Sequence, residues 1–199
     1  MTELHTVTAP TWEPIDLPAA RQQLRLPADY TGEDVVLQRC IQAARRQVEK
    51  WTWRRLPECV LGLALPAFPV GGVRLETAPV GDVEDVTYRV DGGAEPAVAS
   101  PADYELRGGE AQPVLVWTGA TPPLAVVRQP FEARFRAGYA DAATLATHEP
   151  DLVNACYLLM THFFQTRGEQ QVGTIVSPNA LTAKDICADR RLVAYGDGR

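Results

Sequence analysis

Three histidines, four cysteines and a few adjacent carboxylates are the side chains of this 199-residue sequence best suited to chemistry. Zinc and redox centres need Cys and His in close pairs. Cys40, Cys59, Cys156 and Cys187 lie far apart, with no CxxC and no nearby His pair. They read as free thiols serving as small buried apolar groups. His5 is expected in a loose terminus, and His148 and His162 lack the i, i+4 spacing of a helical metal pair. Cys156 and His162, six residues apart on one predicted helix, point to different faces, which disfavours a thiolate–imidazole couple. Gly-Gly pairs at 71–72, 92–93 and 108–109 form neither GxGxxG nor a Walker loop and read as turns. Glu84 and Asp85 fall on a predicted strand, where neighbours face opposite ways, so they read as solvated edge charges rather than a general acid/base couple. The expectation is a non-enzyme with no catalytic residue, no metal site and no cofactor.

The most suggestive cluster is basic: Arg45, Arg46, Lys50, Arg54 and Arg55, interleaved with Trp51 and Trp53. Three readings stay open for it. It is the solvated face of an amphipathic helix, a subunit or partner surface of the kind enriched in Arg and Trp, or a contact to nucleic acid phosphates. The net charge of −6 argues against a conventional nucleic-acid binder. The charge is unevenly spread, however: residues 33–55 carry six basic and three acidic residues, whereas residues 56–150 carry six and thirteen.

The elements that must position these groups follow from periodicity. Asp16 caps a short helix predicted over 17–25, with Pro18 in its first turn and Pro27 beyond its end. Thr31 and Asp34 resemble a capping box before a long amphipathic helix over 32–55, whose Leu37, Cys40 or Ile41, Ala44, Val48 and Trp51 recur every three or four residues. Eleven of the 16 prolines and ten of the 15 glycines fall between 56 and 150, cutting that stretch into short pieces. There the period changes to two. Val86, Tyr88 and Val90 share a face before an Asp91-Gly92 turn, Leu106 and Val114 to Trp117 supply further strands, and Ala133, Phe135, Ala137 and Tyr139 alternate with Arg134 and Arg136. Pro150 opens a helix over 150–167, terminated by Gly168, with one stripe of Leu152, Cys156, Leu159 and Phe163 and a second of Val153, Met160 and Phe164. Such a helix is either central to the core or packed against another copy. A mobile linker at 169–176 and an N-cap at Ser177-Pro178 precede a last helix over 180–192.

The fold class is therefore α+β, a helical bundle with an inserted small antiparallel β subdomain. Its expected parts are residues 1–56, the inserted 57–148, and 149–199. The composition, 46% hydrophobic and 22% charged, suits a folded globular chain. No apolar run is long enough to span a membrane and no secretory signal opens the chain, so a protein made in the cytoplasm is expected.

The ordered set of elements, particularly AARRQVEKWTWRRL (43–56), VEDVTYRVDGG, SPADYELR, ARFRAGYADA and the Pro-led apolar helix, resembles the phage head–tail connector, or adaptor, family and its relatives in gene transfer agents, over roughly residues 14–168. The tail departs from that pattern. The resemblance implies a structural virion protein of the neck, forming a ring of about twelve copies under the portal. The implied partners are the portal protein, the neck or stopper protein, neighbouring copies and double-stranded DNA passing through the channel, with no membrane. It also implies that the C-terminal segment docks on the portal, through Leu181, Ile186, Arg190, Arg191 and Leu192. Subunit contacts are expected at Arg45, Arg46, Trp53, Val153, Met160 and Phe164. The alternatives are a small ligand-binding or hydrolase-like domain and a monomeric scaffold.

Overall fold

The computed structural model describes residues 3–69, 71–88, 97–119, 131–166 and 182–192. The chain is α+β and divides into two compact units, a helical one of Trp12–Pro57 with Tyr139–Arg199 and a sheet one of Met1–Thr11 with Glu58–Gly138. These units differ from the expected boundaries at both ends. The first eleven residues join the sheet because Glu3–Thr8 pairs as a strand, so His5 does not sit in a loose terminus. Residues 139–148 go with the helices, because they contain a further helix whose Leu145 is buried in the helical core.

The helical unit contains α1 (Leu17–Gln23), α2 (Asp34–Thr52), α3 (Ala142–His148), α4 (Pro150–Gln165) and α5 (Ala183–Asp189). Asp16 caps α1 as expected, its carboxylate accepting the Ala19 N–H at 2.8 Å. The expected capping box before α2 does not form. Glu33 precedes the first turn without a side-chain cap, and Asp34 instead accepts from Arg21, from Nη2 at 2.6 and 2.7 Å and from Nε at 3.2 Å. Pro150 opens α4, where its missing N–H costs nothing. For α5 the cap is Thr182, in a reciprocal capping box with Asp185. The expected cap at Ser177-Pro178, the linker at 169–176, Gly168 and the Asp91-Gly92 turn lie outside the described residues.

The core of this unit settles which role α4 plays. Leu152, Ala155, Cys156 and Met160 are all 0% exposed, in one core with Cys40, Ile41, Ala44 and Val48 of α2. Both apolar stripes of α4 are thus used internally, and α4 is the central helix. Each fully buried Leu or Met contributes about 1.5–3 kcal/mol. Among the described residues no helix is long and apolar enough to cross a membrane.

The sheet unit holds two antiparallel sheets rather than one. The larger has the order β1-β2-β8-β4-β5, from β1 (Glu3–Thr8), β2 (Cys59–Leu65), β8 (Phe131–Ala137), β4 (Val80–Tyr88) and β5 (Ala97–Val98). The smaller has the order β3-β7-β6, from β3 (Val73–Arg74), β7 (Val114–Trp117) and β6 (Tyr104–Arg107). On β8 the alternation read from the sequence holds: Ala133, Phe135 and Ala137 are buried and Arg134 and Arg136 face outward. One core joins the two sheets, with Leu61, Leu63, Val86 and Phe135 against Leu75 and Leu115, and with Phe68 edge-on to both Trp117 and Phe131.

Candidate assembly surfaces

A run of charges that looks like a surface in the sequence becomes, in part, a buried seam. Arg45 is 7% exposed and donates to Glu13 at 2.7 Å and to Glu49 at 3.0 Å. Burial opposes its charge, but the hydrogen bond to Glu13 and the field of both carboxylates outweigh that, and its pKa is raised. Glu49 is buried as well, and desolvation pushes its carboxyl above the ordinary range against the pull of Arg45. Its other oxygen accepts the Leu56 N–H at 3.1 Å, which fixes the chain as it leaves α2. Arg45 is therefore a structural tie and is not free to contact a neighbouring subunit.

The seam continues at the end of α2. Trp53 adopts φ 61°, the left-handed conformation usually filled by glycine at a helix terminus, at a cost of about 1 kcal/mol. The Arg191 guanidinium lies 5.2 Å from its ring centre. Around this pair the end of α5 is knitted to α2 and α4. Leu192 donates its N–H to the Thr52 carbonyl at 3.0 Å, and Arg54 bonds the Arg190 carbonyl at 2.9 Å and Glu149 at 3.0 Å. Arg190 reaches Asp151 at 2.5 Å.

The residues expected at interfaces consequently separate. Arg46 is exposed and Trp53 is half-buried under Arg191. Val153 and Phe164 are partly buried against the helical core, and Met160 is wholly inside it. Of the expected docking set, Arg191 is exposed, whereas Leu192 is 8% exposed, Ile186 packs partly on the core and Arg190 is engaged by Asp151. Ala183 and Cys187, not singled out from the sequence, anchor α5 in the core. Leu181 lies outside the described residues.

The side chains with chemical potential do not converge. Cys156 is fully buried while His162 is exposed, and burial drives the Cys156 thiol far up and the Cys187 thiol to about 11. His148 stacks on Tyr139, and His5 lies 3.6 Å from Glu132. Among the described residues no group of three His, Cys, Asp or Glu is placed to hold a metal ion. Glu84 and Asp85 are matched by Arg136 at 2.9 Å and Arg134 at 4.0 Å, so the outer face of the large sheet is mixed in charge rather than uniformly acidic.

A second surface, missed in the sequence, is β1. All six of its residues are exposed, with Leu4 and Val7 39% and 42% exposed. It lies over Gly62, where any Cβ would stand 2.7 Å from the His5 ring. The signal that could have found it is that glycine within CVLGLAL, a place where another backbone approaches.

No family model and no curated protein matches the sequence. Solved structures do. A chain from the neck of an empty gene transfer agent particle, computed with C6 symmetry, superposes with TM-score 0.80 at 26% identity over 99% of both chains. A chain from the virion of the native particle gives 0.76 at 25% identity over 98% of each. A chain from the native neck, computed with C12 symmetry, gives 0.72 at 25% identity over 99% of each. The likeness spans both the helical and the sheet unit, tail included, which extends the resemblance beyond residue 168. The gene transfer agent resemblance read from the sequence is thereby borne out, and over its whole length this chain is similar to a structural protein of the virion neck.

Proposed function

We propose that the chain is a head–tail connector, or adaptor: a non-enzymatic neck protein that forms a ring of about twelve copies under the portal and joins the DNA-filled head to the next neck or stopper protein. The observation that carries this is the whole-length likeness to chains of necks computed with C6 and C12 symmetry. Cyclic assembly fits a subunit whose two units are internally packed yet keep exposed apolar residues, among them Leu4, Val7 and Val35. Channel DNA would then pass a subunit with no net cationic surplus, so phosphate contacts would not trap it. Docking on the portal falls to Arg191, the exposed member of the C-terminal set among the described residues. Deleting the gene from a producing cell tests the role. The expected result is heads that package DNA but lack tails, restored by the intact gene; tailed particles formed without the chain contradict it.

A further inference from the structure

β1 and β3 are terminal strands of two different sheets, and both border one cleft of about 380 Å³. Leu4, Leu63 and Phe135 of the large sheet form one, apolar wall, and the segment 72–76, apolar at Val73 and Leu75 and charged at Arg74 and Glu76, forms the other. The second wall is held close to β7: Gly72 has φ +93°, and a Cβ there would stand 2.6 Å from the Leu115 carbonyl. The layer between the sheets is therefore open beside Leu4, with apolar walls at Leu63, Val73 and Phe135 and the charges of Arg74 and Glu76 at its border.

The edge beside this cleft is lightly guarded, with no Pro or Lys and its charge, Glu3, at one end. Natural edge strands are very short, carry Pro or charged side chains, are bulged, or are covered. β1 has six residues, reads ELHTVT, and has its one irregularity only between Thr6 and Thr8. On one side it pairs with β2; on the other it has no strand among the described residues. Alternate amides along it thus point to an unfilled edge about 20 Å long.

We propose that this edge is an acceptor for the next copy of the same chain, which adds an extended segment to β1 and places an apolar side chain over Leu4 into the cleft. The inference rests on the neck reading. A second copy is the occupant because a cyclic ring joins two unlike patches of identical subunits, so that every copy needs an acceptor as well as a donor, and because the similar necks were computed with C6 and C12 symmetry. A β1-to-β1 pairing would be two-fold and would close as a dimer.

The test uses assembled particles. A photo-reactive benzoylphenylalanine replaces Val7 in the chain supplied to a producing cell, and purified particles are irradiated. The expected product has twice the mass of the chain, contains its peptides alone, and links position 7 to a different position of the second copy. A link only to another neck protein, a link from position 7 to position 7, or no product although the chain is present in the particles overturns the proposal. Absence of the chain from particles overturns the neck reading itself, and this inference with it. In parallel, L4E should melt like the unaltered protein, since Leu4 is exposed in the single chain, but enter particles at least about tenfold less. Normal incorporation of folded L4E also overturns the proposal.

Discussion

The two units use charge and apolar surface in different ways. In the helical unit, several ion pairs join separate elements and are largely buried: Arg45 to Glu13, Arg54 to Glu149, Arg21 to Asp34. In the sheet unit they run between residues two apart on one strand, as Arg134 to Glu132 and Arg107 to Glu105, or across the exposed face, as Arg136 to Glu84. The first kind fixes one packing, because losing a partner strands a buried charge; the second contributes little to stability. Apolar surface follows the same division. The central helix is covered on both stripes, while the layer between the sheets is open at β1. The helical unit encloses its central helix, and among the described residues the sheet unit pairs β1 on one side alone.

Truncation should expose this contrast most sharply. Removing residues 177–199 takes away buried Ala183, Cys187 and Leu192 and the ties to Thr52 and Arg54, so the helical unit should lose cooperative melting. Removing residues 1–8 takes away a strand exposed throughout, so cooperative melting should persist while ring assembly is lost. Calorimetry on both truncations checks the pair; the opposite ranking would reverse the comparison.

Next in size is E49Q. It removes a charge that burial disfavours while Glu13 still faces Arg45 and the amide oxygen can still accept the Leu56 N–H, so it should shift stability at neutral pH by no more than about 1–2 kcal/mol. Urea denaturation measures this. T182A, which removes the capping box of α5, should cost about 1 kcal/mol. R134A, on the exposed sheet face, should stay within about 1 kcal/mol of the unaltered protein.

The same Glu49 gives a pH signature. Its folded pKa is raised above the ordinary 4.5, so the folded state holds the proton longer, and this contribution to stability declines as pH rises from that value through the folded one. Asp141 and Asp185 act oppositely. Hydrogen bonds to Thr144 and Thr182 lower their pKa values, so their contribution is full above the ordinary 3.8 and is lost as pH falls through the lowered values. Denaturation midpoints followed against pH should show E49Q flattening the decline above about 4.5 while leaving the loss at lower pH in place.

Much of this architecture is legible in the sequence where periodicity is strong. α2 and α4 declare themselves by apolar spacing, and β8 by alternation of Ala133, Phe135 and Ala137 with arginines. β2 is harder, because CVLGLAL is a continuous apolar run with no period to distinguish strand from buried helix. β1 is exposed on both faces and gives no burial pattern at all. α3 holds one buried apolar residue, Leu145, and only the Asp141 cap marks its start. The misplacement of Arg45 has the same origin: its partner Glu13 lies 32 residues upstream, beyond the reach of any local spacing. Leu192, expected at the portal, is likewise held by a distant partner, its N–H meeting the Thr52 carbonyl.

Cryo-electron microscopy of the assembled neck from the producing cell tests the central claim most directly. The account predicts a cyclic ring of this chain between portal and tail, with the helical and sheet units recognisable in each copy. A neck whose density is fully explained by other proteins, with this chain absent from the particle, would contradict it.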